Sequence, residues 1–242
     1  MKRIFITGAS SGMGLQLARD YAADGWQVVA CGRDREKLMH ALAGIEFEPC
    51  IFDMQQPKDI QTAVASLAPF DLVLLNAGNC EYIDDAHQFD AALFARVVKV
   101  NLLGTANCLS ALIPRIKRGG RLAVVSSSVS FVPLTRAEAY GASKAGLDYL
   151  VRTLAIDLAP HHIAVSLIRP GFVDTPLTQK NDFPMPGKVS PEQASRAIRN
   201  GLAKGRAEIS FPFGLISVLR LLSWLPHGLW RRLSQRMVRS GS

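Results

Sequence analysis

Thr7-Gly8-Ala9-Ser10-Ser11-Gly12-Met13-Gly14 follows the short apolar run Arg3–Thr7 and leads into a helical pattern near Gly14–Asp24. Glycines at such a junction let the backbone turn sharply and approach a pyrophosphate closely. The start of the helix adds unpaired N–H groups and a partial positive charge for that anion. A glycine triplet alone is a weak signal, but directly after an N-terminal strand and before a helix it is a strong one. A plain turn does not need three glycines together with Ser10 and Ser11. Gly8, Ser10, Ser11, Gly12, Met13 and Gly14 are therefore the first candidate cofactor ligands.

Outward from this turn, short β-rich runs alternate with longer helical patterns. The strands are expected at Arg3–Thr7, Gln27–Cys31, Glu46–Phe52, Leu72–Asn76, Arg121–Ser126 and Ala164–Ile168. Helices are expected near Gly14–Asp24, Asp34–Ala43, Lys58–Leu67, Phe89–Arg115 and Tyr140–Leu158. Leu72-Val73-Leu74-Leu75 is apolar without alternation, as when helices cover both faces of a sheet. The pattern predicts an α/β fold: a single-domain, doubly wound, Rossmann-type parallel sheet with right-handed crossovers. Its ligands bind beyond the carboxyl ends of the strands. The domain is expected over residues 1–213, with a substrate loop at about 176–190 and an apolar, basic helical extension over 214–242.

The composition suits this. Apolar residues make up 48% of the 242 positions, enough for a large core, and charged residues only 20%, too few for a disordered chain. Cys31, Cys50, Cys80 and Cys108 have no CxxC spacing, which excludes the usual zinc patterns and predicts no metal; all four read as reduced core thiols. No signal-peptide pattern precedes the first motif, and no stretch reaches the roughly 18 consecutive apolar residues of a spanning helix, so a cytoplasmic location is expected. Five of the net eight positive charges come from Arg220, Arg231, Arg232, Arg236 and Arg239, behind the last acidic residue, Glu208. The basic excess therefore belongs to the tail, and no nucleic-acid recognition motif accompanies it.

The second strand ends in Gly32-Arg33-Asp34, roughly 20 residues beyond the glycine turn, where a carboxylate would hold the ribose 2′-hydroxyl of NAD. An arginine there pairs instead with the 2′-phosphate of NADP. Arg33 thus favours NADP(H) over NAD(H). Asp34 either caps the next helix or faces the ribose, and Arg35-Glu36-Lys37-Leu38 reads as the first helical turn that favours capping. The third strand ends at Asp53-Met54, an acid placed to accept from an adenine amino group. The fourth ends at Asn76-Ala77-Gly78, small enough for close passage against a cofactor.

With these motifs the chain resembles the short-chain dehydrogenase/reductase family over nearly all of residues 1–200. The resemblance is carried by Thr7-Gly8, Gly12, Gly14, Asn76-Ala77-Gly78, Asn101, Ser126-Ser127-Ser128, Tyr140-Gly141-Ala142-Ser143-Lys144 and Pro170-Gly171, in this order and spacing. Tyr140 and Lys144 stand four apart and share a helix face. A phenol of pKa about 10 is a poor base, and a neighbouring ammonium is expected to lower that value. In reduction, Tyr140 would donate the proton to the carbonyl oxygen. The resemblance implies that Lys144 also holds the nicotinamide ribose and that Asn101 helps hold a water for a proton relay; a satisfied buried amide is the other reading of Asn101. Thirteen residues before Tyr140, the commonest spacing in the family it resembles, stands Ser127, the first candidate to orient the substrate oxygen; Ser128 fits a one-residue shift and comes second. Pro170, Gly171, Val173 and Thr175 resemble the loop over the nicotinamide.

Pro176–Val189 has no clear periodicity and resembles a substrate-covering loop, a type of lid that excludes water. Phe183 and Met185 suggest an apolar or lipid-like ligand, or pack under the loop. In the tail, Leu229, Trp230, Leu233 and Met237 fall on one helical face with arginines largely elsewhere. Such a helix either lies in a membrane interface or packs on the domain or a partner subunit. The resemblance further implies a homodimer or homotetramer through the long helices. The expected function is an NADP(H)-dependent carbonyl reductase or alcohol dehydrogenase acting on a small-molecule carbonyl or alcohol. The alternatives are a non-catalytic NADP(H)-binding regulator or scaffold, and a sugar-nucleotide epimerase or dehydratase on a related fold.

Overall fold

The computed structural model describes residues 1–237; positions 238–242, and Arg239 with them, lie outside the described residues. Each strand is apolar on both sides because each side has its own helical layer to bury against. Along β1 (Arg3–Thr7), Phe5 points into one core, while Ile4 and Ile6 point into the other. The Phe5 side holds α3 (Pro57–Val64), α5 (Thr105–Leu112) and α6 (Glu138–Asp157). The Ile4 side holds α1 (Gly12–Ala23), α2 (Arg35–Ala41) and α7 (Pro191–Ala203).

The remaining strands are β2 (Gln27–Gly32), β3 (Glu48–Ile51), β4 (Phe70–Leu75), β5 (Ile116–Val125), β6 (Ala164–Pro170) and β7 (Glu208–Phe211). They form one seven-stranded sheet in the order β3-β2-β1-β4-β5-β6-β7, with every pairing parallel. The order reverses between β1 and β4, so their carboxyl ends open a crevice. Three elements exceed the expectation. β5 starts at Ile116, because its first residue pairs with Phe70 before the register shifts. β7, only four residues long, and α7 were not among the expected elements. Yet α7 carries a sequence signature in Ser190-Pro191-Glu192-Gln193, which forms a capping box with proline in the first turn.

The long helix expected near Phe89–Arg115 is broken into parts: α4 (Ala91–Val98), a π-helical segment (Lys99–Gly104) and α5. The run Ala91–Arg115 is long and apolar enough to cross a membrane by length and composition, although no 18 consecutive apolar residues occur in it. Here it is a core helix, burying Val97, Cys108, Leu109 and Leu112 against the sheet and its neighbours. The chain then closes with α8 (Phe213–Leu222) and α9 (His227–Ser234). Leu219 and Trp230 bury against Val132, and the Trp230 indole donates to the Pro133 carbonyl at 2.9 Å.

Phe5 stacks on Phe52 at 6.4 Å and meets Phe70 edge-on at 5.2 Å, so one ring joins β1 to the elements on both sides. Phe5→Ala is expected to cost about 3–5 kcal/mol, read as a lower midpoint in urea unfolding with an unchanged slope.

Candidate active site

The turn after β1 is shaped by a near-collision. A Cβ on Gly14 would strike the Gly8 carbonyl oxygen and lie 2.6 Å from the Asn76 amide nitrogen. Gly8 itself has φ +68°, which favours glycine, and lies against Ala77. The turn is locked to β4 by Thr7, whose hydroxyl accepts from the backbone N–H groups of Asn76 (2.9 Å) and Ala77 (3.1 Å). Asn76 returns a bond from its amide to the Thr7 carbonyl at 3.1 Å. The result is a crevice of about 350 Å³ beyond the strand ends.

Of the proposed cofactor ligands, Gly8, Ser10, Ser11, Gly12, Met13, Arg33, Asp53, Met54, Asn76, Ala77, Gly78 and Thr175 line this crevice. Gly14 supports the turn from behind. Pro170, Gly171 and Val173 stand outside the lining, where Gly171 N–H donates to the Phe211 carbonyl and Val173 bridges Val189. Asp34 is the N-cap of α2, its carboxylate accepting from Lys37 N–H at 3.0 Å, so it is engaged away from a ribose. Lys37 also lines the crevice beside Arg33, a second cation that the sequence reading missed. Its position in the first turn of α2, four residues after Arg33, was the available signal. The glycine cradle fits the close approach of a dinucleotide, and backbone N–H groups at the start of α1 suit its pyrophosphate.

The crevice adjoins Lys144 at Gly78, where a Cβ would lie 3.5 Å from the Lys144 ammonium. Tyr140 and Lys144 project from α6, with the ammonium 5.8 Å from the Tyr140 ring centre and donating to the Val125 carbonyl at 3.0 Å. The three serines after β5 separate cleanly. Ser126 is buried and donates to the Lys144 carbonyl at 3.3 Å, and Ser128 is buried in a 3₁₀ turn. Ser127, whose hydroxyl accepts from Val129 N–H at 3.2 Å, is the one of the three that acts on the Tyr140 phenol, favouring its ionised form.

Asn101, fully buried in the π-helical segment, works as a clamp. Its amide oxygen accepts from Asn79 N–H at 2.8 Å, and its nitrogen donates to the Asn79 carbonyl (2.9 Å) and the Ser143 hydroxyl (3.0 Å). One side chain thus joins the loop after β4 to the residue preceding Lys144.

Burial pushes the Tyr140 phenol well above its usual value of 10; the Cys80 thiol adds to the rise, and the Ser127 hydroxyl opposes it. Tyr140 thus stands above its usual value, not below it as the sequence suggested, because burial outweighs the groups around it. Burial pushes Lys144 down to about 8, against Cys80 and Asp148, which favour its charge.

Cys31, Cys50 and Cys108 lie in the core as expected, but Cys80 does not. It stands half-buried beside Tyr82, Tyr140 and Lys144, and burial pushes its thiol up to about 11. Tyr82 meets Phe183 edge-on at 5.4 Å, and Phe183 meets Phe172 at 6.1 Å, so an aromatic wall stands beside Tyr140. Phe183 and Met185 both take part in packing the loop, Met185 by accepting from the Asn181 amide at 3.4 Å. Arg136, with a left-handed φ of +64°, ties this wall down. It bonds Asp84 on one loop and Asp182 on the other and lies 5.5 Å over the Tyr82 ring.

A family model described as short chain dehydrogenase matches residues 2–184. The chain belongs to the short-chain dehydrogenase family. It is 34% identical over 96% of its length to an uncharacterized oxidoreductase of Myxococcus xanthus, covering 96% of that protein. It is 30% identical to a fatty acyl-CoA reductase of Acinetobacter baylyi, covering 89% of this chain and 78% of that one. Among solved structures, an alcohol dehydrogenase from Thermococcus sibiricus complexed with 5-hydroxy-NADP is 28% identical and superposes with a TM-score of 0.77, covering 87% of this chain and 96% of that one. A short chain dehydrogenase from Burkholderia cenocepacia shares the fold at a TM-score of 0.85 and 24% identity, covering 96% of this chain and 99% of that one. This dehydrogenase is thus an oxidoreductase that uses a nicotinamide cofactor and a small-molecule substrate.

In the dehydrogenase, Gly14→Ala is expected to weaken NADPH binding about tenfold or more, since an added methyl meets backbone that cannot yield. Nicotinamide fluorescence titration reads the loss, with circular dichroism to verify that the fold remains.

Proposed function

We propose that this protein is an NADP(H)-dependent carbonyl reductase, with Tyr140 as general acid and base and an apolar, lipid-like carbonyl as substrate. The observation that carries the reading is Lys144 standing 5.8 Å from the Tyr140 ring and reaching the crevice at Gly78. When bound, reduced nicotinamide supplies the hydride for the carbonyl carbon. Tyr140 gives its proton to the carbonyl oxygen as the alcohol forms, and Ser127 orients that oxygen. A phenol held above 10 stays protonated at neutral pH, which suits donation. Lys144 sits close enough to the crevice to bind a ribose hydroxyl and to return a proton towards Tyr140. Asn101 keeps the loop after β4 and α6 in register and helps hold a water for a proton relay through Lys144.

Arg33 and Lys37 together favour NADP(H), because a dianionic 2′-phosphate gains from two cations where a neutral ribose does not. Pro170, Gly171 and Val173 form the backing of the loop that carries Thr175 to the nicotinamide side. The wall of Tyr82, Phe172 and Phe183 supports an apolar substrate, as does likeness to a protein named fatty acyl-CoA reductase. A homodimer or homotetramer is supported by exposed Leu103, Tyr149 and Ile156 along the π segment and α6. The four unbridged cysteines accord with a cytoplasmic location.

The double variant Arg33→Ala/Lys37→Ala should lose most of its NADPH affinity and little of its NADH affinity in parallel titrations. Similar losses for both nucleotides would remove the basis for the NADP(H) preference. Tyr140→Phe should cost about 10²–10⁴ in kcat for reduction of a carbonyl such as a medium-chain aldehyde, with NADPH binding kept. Lys144 is held at about 8, so it is an ammonium below that pH and neutral above it. kcat/KM for reduction should fall as pH rises through about 8. Tyr140, held above 10, adds no loss below that value, and Lys144→Met should abolish the limb near 8.

A further inference from the structure

The last two helices bury one edge each and leave the other bare. On α8, Ile216 and Leu219 turn inward; on α9, Trp230 does, and Leu222 and Leu225 pack alongside. Positions 213, 217 and 221 follow the helical repeat along the opposite side of α8, and Trp224 lies in the turn just past its end. There Phe213 is 87% exposed, Leu221 64% and Trp224 83%. Ser217, in the middle of this stripe, donates its hydroxyl back to the Phe213 carbonyl at 2.8 Å, so that hydroxyl is already paired within the helix. On α9 and just past it, Leu229, Leu233 and Met237 stand four apart and exposed.

The charge beside these stripes has one sign. No acidic residue follows Glu208, and Arg220, itself exposed, reaches that carboxylate at 3.9 Å and lies 5.7 Å over the Phe131 ring. Arg231, Arg232 and Arg236 are exposed and form no ion pair among the described residues. We propose that α8 and α9 form a docking surface for an anionic lipid bilayer. Phe213, Leu221 and Trp224 enter the interface, and Arg231, Arg232 and Arg236 meet the headgroup phosphates.

Charge complementarity selects this occupant. A two-fold contact between copies across this surface would bring two sets of arginines together with no carboxylate beside them. The exposed Leu103, Tyr149 and Ile156 offer self-association a separate face. An anionic bilayer neutralises arginines and accepts exposed aromatic side chains at the same depth.

The surface is also coupled to the substrate side. Leu215, on the inner side of α8, closes on Gly171, where a Cβ would come within 2.7 Å of it. Pro212 and Leu215 also back Gly187 in the substrate loop. The bilayer would therefore lie one helix away from the loop over Tyr140. This inference rests on the proposed reduction of an apolar carbonyl for its purpose, since such a substrate is concentrated in a bilayer, but not for its geometry.

The test is co-sedimentation of the full chain with phosphatidylcholine vesicles and with vesicles containing phosphatidylglycerol. Capture by the anionic vesicles alone is expected, weakened by salt and accompanied by a blue shift of tryptophan emission. The triple variants Phe213→Ser/Leu221→Ser/Trp224→Ser and Arg231→Gln/Arg232→Gln/Arg236→Gln should each lower the partition coefficient at least about tenfold, with NADPH binding unchanged. Absence of capture by either vesicle, or capture that both variants leave intact, overturns the proposal. So does a variant that halves the light-scattering mass of a chain that vesicles do not capture, which assigns the surface to a second copy. Turnover of a water-soluble aldehyde with NADPH, followed in parallel, separates the two readings. Capture without turnover leaves the docking surface standing and removes the reductase, and turnover without capture does the reverse.

Discussion

The carboxyl ends of β1 and β4 are held together by a contact that leaves no room for a side chain. Thr7 takes two backbone N–H groups from Asn76 and Ala77, and Gly8 and Gly14 close against the same segment. These strands are neighbours in the sheet but more than sixty positions apart in the chain, so the contact fixes the point where strand order reverses. Everything the crevice offers depends on it: N–H groups at the start of α1, an open path past Gly78, and the cations Arg33, just before α2, and Lys37, in its first turn, lining the same space. A side chain at Gly14 would separate the two ends and spoil all three.

The second constraint is electrostatic. Tyr140 and Lys144 share a helix face, and removing them from water raises the one group and lowers the other. The ammonium is kept by a carbonyl, Val125, and by the field of Asp148 one turn further along α6. Asp148 is itself paired with Arg169 at 2.8 Å, both nearly inaccessible. Replacing either alone would strand a buried charge, which is why such pairs are costly to break even when they add little net stability. Asn101 supplies the mechanical counterpart. Its three hydrogen bonds hold Asn79 and Ser143 at fixed separation, and the π-helical segment aims its amide there.

Around this rigid centre the substrate side is built from loops held by side chains. Arg136 spends a left-handed backbone conformation to reach Asp84, Asp182 and the Tyr82 ring together. Tyr82, Phe183 and Phe172 then pack edge to edge. Behind them α8 closes the space with Leu215, linking the extension to the loop it covers.

Local physics made much of this legible in one dimension. Apolar runs of strand length between helical repeats have few other ways to bury both faces, and a glycine turn between strand and helix has a defined use. Tyr140 and Lys144 could be placed on one face because a helix repeats every 3.6 residues, and Asp34 could be read as a cap from the turn that follows it. The short edge strand Glu208–Phe211 escaped notice because four residues carry too little pattern, whereas the capping box of α7 was present in the sequence and went unused. Only tertiary structure decided that Ser127, of three adjacent serines, meets Tyr140, since a one-residue shift at a strand end reverses where a side chain points. Only tertiary structure brought Cys80 and Tyr82 beside Tyr140, and Lys37 beside Arg33, and turned Lys144 towards Val125. Those placements depend on distances between elements far apart in the chain, which periodicity within one element does not encode.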